Sequence, residues 1–147
     1  MTEFRIREAG ASDSEPIRRL IDLVGINPSG LDWKPFIVAL DPRDEVVGCG
    51  QIKPHGGNMR ELASIAVCPE ARGTGVARAI IERLISAYPR PLYLMCRSPL
   101  GPLYERFGFR SIGYDAMPRY FQRVTRLAGL AEALSASGET LLVMRLV

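Results

Sequence analysis

Apolar residues recur along this chain with two periods, and the switches between them lay out its elements. Phe4 and Ile6 alternate with Arg5 and Arg7, as in a strand with one buried face. Ser12-Asp13-Ser14-Glu15-Pro16 supplies helix-start residues, and Ile17, Leu20, Ile21 and Val24 follow at helical spacing, which predicts a helix over 16–24 ended by Gly25. Asn27-Pro28-Ser29-Gly30 reads as a turn and leaves little room for another full helix before Phe36. Residues 36–40 and 45–52, parted by Asp41-Pro42-Arg43-Asp44, read as a hairpin. His55-Gly56-Gly57-Asn58 makes a further turn into a strand over 61–67, so three antiparallel strands follow one another. Val76, Ile80, Ile81, Leu84 and Ile85 then mark a helix over 74–87, and the short apolar run 92–96 has strand length. A strand-helix-strand connection of this kind lays its second strand parallel beside the first. Beyond it, Leu103, Tyr104 and Phe107 share a helical side before Gly108, and 109–114 resembles a strand. Phe121, Val124, Leu127, Ala128, Ala131 and Leu134 predict a helix over 119–136 with Gly129 as its weak spot, and 140–147 reads as a last strand. The expected fold class is α/β: a mixed sheet of six or seven strands flanked by helices, in one domain spanning 1–147.

The stretch with the most chemistry is Arg72-Gly73-Thr74-Gly75-Val76-Ala77, between the central strand and its helix. Two residues without side chains stand where a helix begins, so several backbone N–H groups lack an intrahelical acceptor and no Cβ shields them. The helix dipole adds roughly half a positive charge there, and Arg72 can add a full one, which makes a pyrophosphate the natural guest. Two glycines can also do no more than let a strand turn into a helix. A Walker loop is excluded because no Lys-Ser or Lys-Thr follows the last glycine, and a dinucleotide fingerprint needs a third glycine where Arg78 stands.

Composition narrows the setting. With 147 residues, 47% hydrophobic and 24% charged, the chain can bury a core without staples. Its 3 cysteines, Cys49, Cys68 and Cys96, are odd in number, far apart and beside apolar runs, which argues for a reducing, cytoplasmic setting and against a disulfide framework or zinc site. The single histidine, His55, leaves little material for a metal cluster or a serine triad, so no metal is expected. The N-terminus has no apolar signal core and no run approaches a membrane span, so no membrane partner is expected. A net charge of +3 is too mild and scattered to argue for nucleic acid.

The cradle resembles the acetyl-CoA motif of the GNAT superfamily of N-acetyltransferases, Q/R-x-x-G-x-G/A, matched by Arg72, Gly75 and Ala77. The resemblance extends upstream to Val67, Pro69 and Glu70 and downstream to Tyr104-Glu105-Arg106-Phe107-Gly108-Phe109, similar to the family's second block. It implies acetyl-CoA as cosubstrate, held by Arg72, Gly73, Thr74, Gly75, Val76 and Ala77, with the backbone of Ile65, Ala66 and Val67 against the thioester. It also implies catalytic roles. Glu61 stands where some members carry a general base, and it shares parity with Ala63, Ile65 and Val67; a solvated glutamate paired with Arg60 or Lys53 is the bland alternative. His55 is a rival base, set in a turn where a histidine is more often just exposed. Tyr104 resembles the tyrosine that protonates the departing thiolate, and a phenol near its ordinary pKa of about 10 suits that task. Seven residues earlier the family often has an asparagine, and this chain has Arg97, a cation at an expected cofactor or pocket contact. Cys68 and Cys96 read as packing residues, because transfer in the family is usually direct. The reaction so implied is N-acetylation of a primary amine on a small molecule, with a protein or peptide acetyltransferase and a non-catalytic CoA-binding module as alternatives. GNAT proteins usually have two helices before the first hairpin, so the short segment here points to an open acceptor pocket. The last helix is longer than usual and could pack on its own domain or in a homodimer.

Overall fold

The computed structural model describes residues 3–26, 31–133 and 138–147. Among these the elements run β1 (Arg5–Glu8), α1 (Ser14–Val24), β2 (Phe36–Leu40), β3 (Val46–Pro54), β4 (Arg60–Val67), α2 (Val76–Ala87), β5 (Leu92–Arg97), α3 (Gly101–Glu105), β6 (Arg110–Ser111), α4 (Arg119–Ala133) and β7 (Leu141–Leu146). The seven-stranded sheet has the order β1-β2-β3-β4-β5-β7-β6, and α2 is the predicted crossover from β4 to β5. Two compact units divide the chain: residues up to Pro54 with Glu61–Pro89, and His55–Arg60 with Arg90–Val147.

In the first unit β1, β2 and β3 pair antiparallel, with Val38 opposite Cys49 and Ala39 opposite Gly48. Alternation sends these two pairs to opposite faces. On one face Ile17, Leu20 and Ile21 of α1 close over Phe36, Val38, Leu40, Cys49 and Ala66, each Ile, Leu, Val or Phe side chain among them contributing about 1.5–3 kcal/mol by leaving water. On the other face α2 lies against bare backbone. A Cβ added at Gly50 would stand 2.7 Å from both Ile65 Cδ1 and Ile80 Cγ2, so the glycine is what lets the helix approach β3.

In the second unit β7 lies antiparallel between β5 and β6, with Leu94 opposite Met144 and Ser111 also opposite Met144. Phe121 of α4 is fully buried with Tyr93 and Val143, and Met59, Met95, Met117 and Tyr120 pack around them.

The differences from expectation lie mostly at element ends. α1 begins at Ser14, two residues before the predicted start, because Pro16 fits inside a first turn. The strand expected over 109–114 shrinks to Arg110–Ser111 and gives way to a 3-10 turn at Tyr114–Ala116. α4 is described as far as Ala133, and the rest of the predicted 119–136 helix falls outside the described residues, as does the predicted turn at 27–30. None of the described helices is long and apolar enough to cross a membrane.

Candidate active site

The central strand does not run straight into its helix. Ser64 has φ of +58°, in the left-handed region a non-glycine residue rarely enters, and it breaks the two-residue alternation of β4. The parity argument linking Glu61 to Ile65 and Val67 therefore stops at Ser64. Gln51 Nε2 donates to Ser64 Oγ at 2.9 Å and the Cys49 thiol donates to the Ser64 carbonyl at 3.5 Å, so β3 grips the kink from the side. Sequence reasoning missed both residues. A serine in a strand carries no signal, whereas a glutamine within Gly48-Cys49-Gly50-Gln51-Ile52, buried here, was a lone polar group in an apolar run.

Glu61 is the second residue of β4 and is 3% exposed, so it is not the solvated glutamate that the sequence left open. A carboxyl taken that far out of water needs polar company, so its burial is a costly feature to keep in a strand.

At the far end of β4 the Cys68 N–H donates to Val47 O at 2.9 Å, and a 3-10 turn, Pro69–Ala71, separates strand from cradle. Arg72 follows in extended conformation with its Nε donating to Val67 O at 3.4 Å. Thr74 Oγ1 donates to Ala71 O, which ties the loop back on itself. The helix starts later than expected, at Val76, because Gly75 with φ of +89° is its left-handed N-cap. The first intrahelical bond runs from Ala79 N–H to Gly75 O at 3.0 Å, and no side chain caps the end, so the N–H groups of Val76, Ala77 and Arg78 have no acceptor within the helix. A Cβ built on Gly73 or Gly75 would meet nothing within 4 Å, so the space over these donors is open. Gly73, Gly75 and Arg72 are exposed, Thr74 and Ala77 half-buried, and Val76 is buried against the sheet. Arg78 is engaged with Glu82 at 2.9 Å, leaving Arg72 as the cation of the loop. Open donors at a helix N-terminus beside a guanidinium suit a pyrophosphate, and the residues present fit the group the motif implies.

The structure thus gathers Glu61, Ile65, Ala66, Val67 and residues 72–77 in one unit. Tyr104 and Arg97 belong to the second unit. Tyr104 lies on α3, half-buried, edge-on to Phe109 with ring centroids 6.3 Å apart. Burial, and behind it the neighbouring Cys96, pushes its phenol up to about 12, well above the ordinary value assumed from sequence. Cys96 is itself raised by burial, which fits a packing residue rather than a nucleophile. Arg97 closes β5 with its guanidinium on Glu139 at 3.1 Å. His55 is not simply exposed: it is half-buried and stacks on Tyr120 with centroids 4.2 Å apart. An imidazole held in an aromatic stack has less freedom to reach a substrate, which lowers its standing as a base.

Known proteins resemble this chain in sequence and in fold. Residues 32–111 match the model of the acetyltransferase (GNAT) domain. No curated protein matches the chain. Among solved structures, Rv2747 from Mycobacterium tuberculosis, in complex with CoA and NLQ, is 26% identical with a TM-score of 0.71, covering 97% of this chain and 98% of that one. N-acetylglutamate synthase from Neisseria gonorrhoeae, complexed with coenzyme A and L-arginine, is 20% identical with a TM-score of 0.73; it covers 99% of this chain, which spans 34% of that protein. The ribosomal-protein-S18-alanine N-acetyltransferase from Escherichia coli is 17% identical with a TM-score of 0.70, covering 98% and 93% of the two chains. With more than half its length matched by the domain model and its glycine turn in the expected place, the chain belongs to the GNAT family of acetyltransferases.

Proposed function

We propose that residues 1–147 work as one cytoplasmic domain that transfers an acetyl group from acetyl-CoA directly to a primary amine of a small molecule. The observation that carries this reading is the open, uncapped turn at Gly73–Gly75, on the same strand-helix segment as a deeply buried glutamate. Acetyl-CoA, when bound, supplies an activated thioester. The N–H groups of residues 73–78 and the Arg72 guanidinium hold its pyrophosphate, and the backbone of Ile65, Ala66 and Val67, just past the Ser64 kink, offers donors to the carbonyl. Glu61 accepts the proton the amine must lose as its nitrogen bonds to carbon. Tyr104, protonated throughout the neutral range, donates its O–H toward the sulfur as the carbon–sulfur bond breaks. Its raised pKa makes it a stronger proton holder than an ordinary tyrosine, so it acts first as a hydrogen-bond donor to the departing charge. Arg97 adds a cation where the family often has an amide.

The test is thiol release from acetyl-CoA against amino acids, polyamines, aminoglycosides and peptides, followed by pH profiles of two variants. Turnover confined to peptides would overturn the small-molecule reading, and no thiol release with any amine would overturn the catalytic one. Glu61→Gln is expected to lose about 10²–10⁴ in rate at neutral pH and to recover part of it as the amine nears its own pKa of about 10. Tyr104→Phe is expected to stay slow at every pH. Parental turnover of Glu61→Gln across the whole range would remove Glu61 from the mechanism.

A further inference from the structure

The first unit holds a cavity of about 550 Å³ on its α1 face, opposite the face on which α2 lies. Its floor is apolar: Pro16, Leu20 and Leu23 of α1, Val46 of β3, and Cys68 just past β4. Leu23 is 65% exposed there, a large apolar side chain facing open space. One wall is rigid, because the buried Asp13 takes Arg7 in two bonds at 2.6 and 3.1 Å and the Gly10 N–H at 2.8 Å. That contact with Arg7 holds the Asp13 carboxyl below its usual range and cancels both charges. Asp44 is likewise paired with Arg5. Two opposite charges remain. Arg19 enters from the helix and Glu45 from the β2–β3 turn, and neither is ion-paired to another described residue.

We propose that this cavity is a second small-molecule site, separate from the cradle, that takes an apolar α-amino acid as its zwitterion. The carboxylate meets the Arg19 guanidinium, the ammonium meets Glu45, and the side chain covers Leu23, Val46 and Cys68. The volume lies within the ordinary range for ligand sites of roughly 300–1,000 Å³. Charge-assisted bonds at both ends give the zwitterion an advantage over either singly charged analogue.

Cys68 provides a local reporter, since it is half-buried at the cavity while Cys49 and Cys96 are buried. Alkylation by iodoacetamide, followed residue by residue with mass spectrometry in the absence of acetyl-CoA, uses L-leucine as probe. Saturable protection of Cys68 by L-leucine is expected, with isocaproate and isoamylamine weaker by at least about tenfold because each keeps one charge. Arg19→Glu should raise the half-protecting concentration by at least about tenfold, and Gly75→Glu should leave it unchanged. The proposal is overturned if L-leucine fails to slow alkylation up to roughly tens of millimolar. It is equally overturned if Arg19→Glu is protected like the parent, or if protection disappears in Gly75→Glu, which would place the ligand at the cradle. None of these readouts depends on acetyl transfer, so the fate of that reading is decided separately.

Discussion

In the first unit the candidate ligand-binding groups are backbone N–H groups at the start of α2, exposed by two glycines and capped by no side chain. In the second unit the candidate group is one side chain, Tyr104, whose proton affinity is set by burial beside Cys96. The two differ in what a substitution can reach. Backbone donors survive most side-chain changes and are lost only when something is placed over them, whereas a phenol is lost with one oxygen atom. They also differ in pH response, because amide donors do not titrate and Tyr104 does.

That contrast can be broken most sharply at Gly75. Gly75→Glu puts a side chain with a negative charge over the donors, at a backbone φ of +89° that costs an L-residue about 1–3 kcal/mol. Because the space around it is open, the fold is expected to persist while calorimetry with acetyl-CoA finds no binding. A folded variant that binds like the parent would place the cradle elsewhere. In the second unit the largest expected effect is on stability: Phe121→Ala empties a fully buried position among Tyr93 and Val143, and thermal unfolding should report a loss of about 3–5 kcal/mol.

Tyr104 comes next. Subtracting the ultraviolet titration of Tyr104→Phe from that of the parent should isolate one phenol with a midpoint of about 12. Its folded pKa lies above the unfolded value of about 10, so its contribution to stability is intact below pH 10 and is lost as pH rises toward 12. A midpoint near 10 would mean that Tyr104 is solvated and ordinary. The smallest effect belongs to Arg72, whose exposed guanidinium supplements donors that remain without it. Arg72→Ala should weaken acetyl-CoA binding by only about 0.3–1 kcal/mol in low salt, and a much larger loss would mean that side-chain charge, not backbone, carries the site.

The sequence by itself determined the order of strands and helices, the crossover through α2 and the place of the glycine turn before it, because periodicity and glycine spacing are local and act within a few residues. Val76, Ile80 and Leu84 had to face a sheet, and Gly73 and Gly75 had to leave N–H groups bare. Tertiary structure decided the rest. Ser64 takes a left-handed φ with β3 holding it through Gln51 and Cys49, a grip across 13 and 15 residues of sequence that no local pattern announces. Glu61 is buried rather than solvated, the Tyr104 phenol is pushed up by burial and, behind it, by Cys96, and His55 is stacked on Tyr120. Each of these depends on desolvation and on neighbours far along the chain, and desolvation exists only once the chain has closed around the group.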